Sequence, residues 1–175
     1  YAYNILGIPN AATINDGDIY TKGLTEGFKK VFSALGGTIV LDTAINKGDT
    51  EMLPVLTAVA NAKAQLLFFP LFQPEGNYIL RKAREIESFE NVVLMTDGAL
   101  IENSFITEMG DLAIGMYFVG PSTIESEAVQ LLDIRYKEKF KTTPSVNYYL
   151  RAYDAVNLLF KAIDEVAIRE PDGTL

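Results

Sequence analysis

The chain contains no cysteine and no histidine. Without cysteine there is no disulfide framework and no thiolate chemistry. Without histidine there is no Ser-His-Asp triad, no imidazole metal site and no near-neutral general base of the usual kind. Long hydrophobic runs are missing too: no apolar stretch approaches the roughly 20 residues of a membrane span, and Gln65–Phe72 reads as a buried strand with its exit loop. Positive charge is scarce, with 15 Lys and Arg against 23 Asp and Glu and a net charge of −8. Such a surface repels phosphate backbones and anionic membranes, so neither nucleic acid nor direct membrane insertion is expected. There is no glycine-rich phosphate loop. Gly36-Gly37 follows a helical pattern, whereas a dinucleotide fingerprint lies between strand and helix.

Hydrophobic residues make up 49% of 175 residues, enough for the core of one domain. Five short apolar runs recur about every 26 residues: Ala11–Ile14, Thr38–Asp42, Gln65–Phe69, Val92–Met95 and Gly115–Val119. Between them lie segments of helical periodicity. One runs from about Tyr20 to Leu35, with Leu24, Phe28, Val31, Phe32 and Leu35 as its inward stripe and Gly36-Gly37 as its end. Further helices are expected over Glu51–Asn61, capped by Asp49 or Thr50, from Pro74 to about Ile86, over Ile101–Met109, Glu125–Phe140 and Ser145–Val166. Tyr148, Tyr149, Tyr153, Val156, Leu159, Phe160 and Ile163 give the last helix a broad apolar face. Gly120-Pro121 stops the fifth strand. Repeated strand–helix alternation predicts an α/β fold of three α/β/α layers around a Rossmann-like parallel sheet.

In such sheets ligands bind beyond the carboxyl ends of the strands. That edge carries Asp16, Asp18 and Tyr20 after the first strand, Leu71 and Phe72 after the third, and Thr96 and Asp97 after the fourth. A carboxylate at Asp97 can pair with an ammonium group through charge-assisted hydrogen bonds, or serve as a turn residue. Phe72 and Tyr20 can offer ring faces to a ligand. Phe72 can equally be core, and Tyr20 a surface residue of a first helical turn. Asn15-Asp16-Gly17-Asp18 has the oxygen density of a calcium loop, but the position that needs glycine is Tyr20 and the terminal glutamate falls inside the helix, so it reads as a capping turn. A phosphoacceptor receiver domain needs an Asp at the end of the third strand, where this chain has Phe68-Phe69-Pro70. No metal or cofactor is implied.

The order and spacing of several stretches resemble the type I periplasmic binding proteins, in particular the branched-chain amino acid receptors of bacterial ABC importers. They are Asn15-Asp16-Gly17-Asp18-Ile19-Tyr20-Thr21-Lys22-Gly23 with Phe28-Lys29 and Leu35-Gly36-Gly37, then Gly48-Asp49-Thr50-Glu51-Met52. Gln73-Pro74-Glu75 with Leu80-Arg81-Lys82-Ala83-Arg84, Thr96-Asp97-Gly98, and Pro144 through Tyr153-Asp154-Ala155 complete the match. The resemblance covers roughly residues 11 to 166 and corresponds to the second lobe of a two-lobed receptor. It implies that residues 1–175 form one ligand-binding lobe, with 1–10 a crossover from a missing N-terminal lobe and 167–175 a truncated end. It implies an amino acid as ligand, an ABC permease as partner, and an extracytoplasmic location. By the same resemblance Asp97 takes the ligand ammonium and Tyr20 and Phe72 pack on the ligand, with Leu71 a weaker candidate. Phe69-Pro70-Leu71-Phe72 replaces a stretch commonly rich in Gly and Tyr, which makes the wall more apolar. The alternatives are a sensory receptor ectodomain, the effector-binding lobe of a transcription regulator, and a Rossmann-like enzyme half-domain. The last lacks phosphate loop, histidine and cysteine.

Overall fold

The structure, a computed structural model, describes residues 1–120, 125–144 and 148–167. It forms two compact units, residues 1–121 and 122–175. The first unit holds β1 (Asn10–Asn15), α1 (Ile19–Ala34), β2 (Thr38–Ala44), α2 (Leu53–Asn61) and β3 (Leu66–Phe68). It continues through α3 (Glu75–Glu85), β4 (Val93–Asp97), α4 (Asn103–Met109) and β5 (Tyr117–Val119). The second unit holds α5 (Glu127–Phe140) and α6 (Tyr148–Val166). The expected start of the last helix at 145–147, Pro121 and residues 168–175 of the expected truncated end lie outside the described residues. No described helix is long and apolar enough to cross a membrane.

All five strands are parallel, in the order β2-β1-β3-β4-β5. The α/β expectation holds, and each apolar run contributes a strand. Successive side chains of a strand point to opposite faces, and β3 shows this in its packing. Leu66 and Phe68 join Ala11, Phe32 and Met95 on the α1 side. Leu67 and Phe69 join Ile14, Leu56, Ile79, Leu80 and Leu94 on the α2–α3 side. Both faces of the sheet are covered, which is why its central strands read as unbroken apolar runs. The segment before β1 packs on the α1 side through Ala2 and Ile8.

The chain leaves β1 to one side for β2 and then crosses to the other side for β3. The reversal point of the sheet therefore lies between β1 and β3, where α/β folds open a crevice. Tyr20 follows β1, Phe72 follows β3, and Asp97 ends the neighbouring β4.

The helices depart from expectation in three places. The stripe of α1 buries Phe32, but Val31 and Leu35 are exposed and Thr21 and Thr25 are buried instead. Val31 lines an apolar groove of about 640 Å³ with Leu24, Phe28, Phe68, Met95 and Tyr117. The buried threonines are tolerated because their hydroxyls are bonded, Thr21 to Asp16 Oδ1 at 2.5 Å and Thr25 to the Lys22 carbonyl at 3.0 Å. α2 begins at Leu53 after an uncapped Met52, with Pro54 in its first turn. Asp49 does not cap it; its carboxylate accepts from the Asn46 N–H at 2.8 Å and closes the preceding loop. In the second unit the apolar face of α6 is not buried: Val156, Leu159 and Phe160 are all exposed. There the Tyr149 hydroxyl donates to Asp133.

Candidate functional site

The loop after β1 is a chain of local hydrogen bonds. Asn15 Oδ1 accepts from the Gly17 N–H at 3.0 Å, and Asp16 Oδ1 accepts from the Asp18 N–H at 3.0 Å and from the Thr21 hydroxyl. Asp18 Oδ1 then accepts from the Tyr20 N–H at 2.8 Å, the bond an N-cap makes to a helix's free donors. That N–H bond, with Lys47 3.3 Å away, holds the Asp18 carboxyl below its ordinary value. These carboxylates are spent on the turn, as the capping reading expects. Among the described residues no group of acidic side chains could hold a metal ion.

The cap fixes Tyr20 in the first turn of α1, where the residue is 40% exposed. Its hydroxyl donates to Asp97 Oδ2 at 2.5 Å. Asp97 is only 4% exposed, and its second oxygen, Oδ1, is buried without a donor in hydrogen-bond geometry. Burial pushes the Asp97 carboxyl above its ordinary value; the Tyr20 hydroxyl and the nearby N–H groups of Ala99 and Asp97 pull the other way. Asp97 is therefore no simple surface turn residue. It is a desolvated acid held at a strand end, with part of its bonding capacity unused.

Phe72 completes the group. Its ring lies 5.4 Å from that of Tyr20, tilted by 34°, and the residue is 37% exposed. The Leu71 N–H donates to the Phe69 carbonyl at 2.7 Å, a tight turn around Pro70. Leu71 is fully buried in the α2–α3 core while Phe72 is exposed. Of the two candidates in this loop, Leu71 is thus placed in the core, and Phe72 faces the aromatic partner. The Thr96 hydroxyl donates to the Phe69 carbonyl at 2.8 Å, tying the ends of β3 and β4 together.

Three of the four expected residues, Tyr20, Phe72 and Asp97, thus form one contiguous group. Sequence reasoning missed the Tyr20–Asp97 bond and the Thr96 anchor. The only available signal was that Tyr20 and Phe72 follow strand ends; Thr96 and Asp97, expected just after the fourth strand, are the last two residues of β4. Behind the site, Glu75 is buried and accepts from the Gly48 N–H at 2.7 Å, closing the loop between β2 and α2 onto α3. The apolar groove along α1 contains neither Phe72 nor Asp97.

A family model described as "Periplasmic binding protein" matches residues 1–174. The Leu/Ile/Val-binding protein BraC3 of Rhizobium johnstonii is 28% identical over 162 residues, covering 91% of this chain and 42% of that protein. In structure, a leucine-binding protein from Thermotoga maritima superposes with a TM-score of 0.81 at 23% identity, over 94% of this chain and 47% of the other. A solute-binding protein of an ABC transporter from R. palustris, in complex with benzoate, gives 0.75 at 21% identity, over 93% and 44%. The chain thus spans less than half the length of each.

Proposed function

The chain belongs to the periplasmic binding protein family, and from that premise we propose that it is one lobe of a two-lobed solute receptor for an ABC importer. The ligand is a small amino acid of the branched-chain type, held at the carboxyl edge of the sheet between this lobe and a second one. Asp97 receives the α-ammonium, and Tyr20 and Phe72 pack on the ligand. The receptor closes around the ligand and docks on a permease outside the cytoplasm. The function is binding, and no reaction is assigned to it.

One observation carries this reading. A desolvated carboxylate with a free acceptor sits beside an open aromatic pair at the reversal point of the sheet. A buried acid of this kind is costly unless a donor reaches it, and an ammonium supplies charge-assisted donors. The name of the curated relative supports an amino acid, while a solved structure of the same fold holds benzoate.

The test is calorimetry of leucine, isoleucine and benzoate on the intact receptor and its Asp97→Asn variant. Loss of the charged partner is expected to weaken amino acid binding by at least about 1.5 kcal/mol. Unchanged amino acid affinity would leave Asp97 a turn residue, and tight benzoate binding that the variant leaves intact would assign a ligand without an amine.

A further inference from the structure

Asn77 is a buried polar residue that the ligand contacts leave unused. It lies inside α3 at 1% exposure. Its Nδ2 donates to Gln73 Oε1 at 3.1 Å and to Glu108 Oε2 at 2.9 Å, while its Oδ1 is buried with no partner among the described residues. Glu108 can only accept, so the amide cannot be turned round. An amide left half satisfied costs free energy that an apolar side chain of similar size would not. Packing alone does not call for asparagine there.

Its bonds place Asn77 at the centre of a seam between two helices. Gln73, Asn77 and Arg81 follow at four-residue spacing from just before α3 into its body, and Ser104 and Glu108 stand at the same spacing on α4. Across the seam Gln73 Nε2 donates to Ser104 Oγ at 3.0 Å, Asn77 reaches Glu108, and Arg81 Nη2 donates to Glu108 Oε1 at 3.0 Å. The outer two rungs are exposed, and Asn77 supplies the buried one.

The seam starts beside the site. Gln73 follows Phe72, and the Phe72 carbonyl accepts from the Gly76 N–H at 2.8 Å, so the entry into α3 begins on Phe72 itself. α4 comes after the turn that leaves Asp97. Thr96 holds this loop to the sheet at Phe69, before Phe72. The Gln73 side chain, gripped by Asn77 at one end and Ser104 at the other, holds it just after Phe72.

We propose that Asn77 is a positioning residue, which fixes the Phe72 ring for the ligand through Gln73 and the seam with α4. The proposal rests on the reading that Phe72 packs on the ligand. Asn77 is closed off from solvent and acts only from behind the loop. Without it Gln73 loses one of its two anchors, the loop samples more arrangements, and binding must order it.

The experiment is calorimetry of leucine on the intact receptor, with thermal melting of the same samples. Asn77→Leu fills nearly the same space with an apolar side chain and breaks the seam. It is expected to weaken leucine about two- to tenfold, the cost of ordering one side chain on binding. Gln73→Ala cuts the same link at a half-buried residue and is expected to give a similar loss, so it decides the matter if Asn77→Leu fails to fold. A double-mutant comparison separates positioning from a general structural role. In a Phe72→Ala background either change is expected to leave leucine affinity where Phe72→Ala put it, because the ring being positioned is gone. Unchanged affinity in either single variant, whatever its melting temperature, or an equal loss with and without the Phe72 ring, overturns the proposal. Leucine that the unmodified receptor does not bind, or binds as well after Phe72→Ala, overturns instead the reading of Phe72 as a ligand contact, and the positioning role with it.

Discussion

Leu71 and Phe72 are adjacent in sequence and opposite in environment, so truncating each to alanine separates packing from recognition. Leu71 is fully buried, and Leu71→Ala leaves a closed cavity; that change costs about 2–5 kcal/mol. A fully buried Phe→Ala change would cost about 3–5 kcal/mol. Phe72 is 37% exposed, so solvent fills the space it vacates and the cavity contribution falls away. What remains is the transfer of its buried part, about 1–2 kcal/mol when a full side-chain burial of about 1.5–3 kcal/mol is scaled by the covered fraction. The smaller side chain is thus expected to give the larger loss of stability. At about 2–8 °C per kcal/mol for domains of this range of sizes, Leu71→Ala lowers the melting temperature clearly more than Phe72→Ala. Affinity is expected to move the other way: Phe72→Ala weakens ligand binding, and Leu71→Ala leaves it close to unchanged in molecules that stay folded. Thermal melting and calorimetry on the same preparations of the intact protein read both. If Phe72→Ala destabilises as much as Leu71→Ala and retains full affinity, Phe72 is core and leaves the site.

Two further outcomes concern the ground on which Asp97 stands. Burial raises its carboxyl in the folded chain, so the native state keeps the proton to higher pH than the unfolded chain. Stability therefore falls as pH rises from the ordinary carboxylate value of 3.8 through the raised native one, and stays reduced at neutral pH. Asp97→Asn is expected to gain melting temperature over the unmodified protein across that window, and parallel melting curves from acid to neutral pH would contradict it. At Gly76 an added Cβ would fall 2.7 and 2.8 Å from the two methyl carbons of Leu100, in the turn that follows Asp97. Gly76→Ala is expected to cost about 1–3 kcal/mol by overpacking, measured by denaturant unfolding, and a neutral result would mean that Leu100 turns aside freely.

The strands were legible because a parallel sheet covered on both faces demands unbroken apolar runs, and Gln65–Phe69 could hardly be anything else. The helix faces were less so. Thr21 and Thr25 belong to the buried side of α1 because partners satisfy their hydroxyls, and hydrophobic periodicity cannot see a satisfied polar group. The expected cap at Asp49 failed because the same carboxylate could close its own loop, a local competition that spacing does not decide. In the site, position at or beyond a strand end pointed to Tyr20, Phe72 and Asp97 among others, and the family resemblance narrowed the choice to them and Leu71. Their mutual contact was not readable: Tyr20 and Asp97 are 77 positions apart, and their meeting depends on β3 lying between β1 and β4. The inward turn of Leu71 follows from one backbone bond around Pro70, which residue type alone does not announce.

The bond from Thr96 to the Phe69 carbonyl has a thermodynamic meaning beyond geometry. It fastens the loop that leaves β3 and carries Phe72 to the end of β4, which carries Asp97, at a single buried point. Ordering a recognition surface at the moment of association consumes free energy, and a surface already ordered is spared that loss. On the proposed reading, Phe72 and Asp97 would meet a ligand from a frame whose conformational entropy was surrendered at folding. Changes in ligand preference can then arise by replacing single side chains on that frame while the frame itself stays the same.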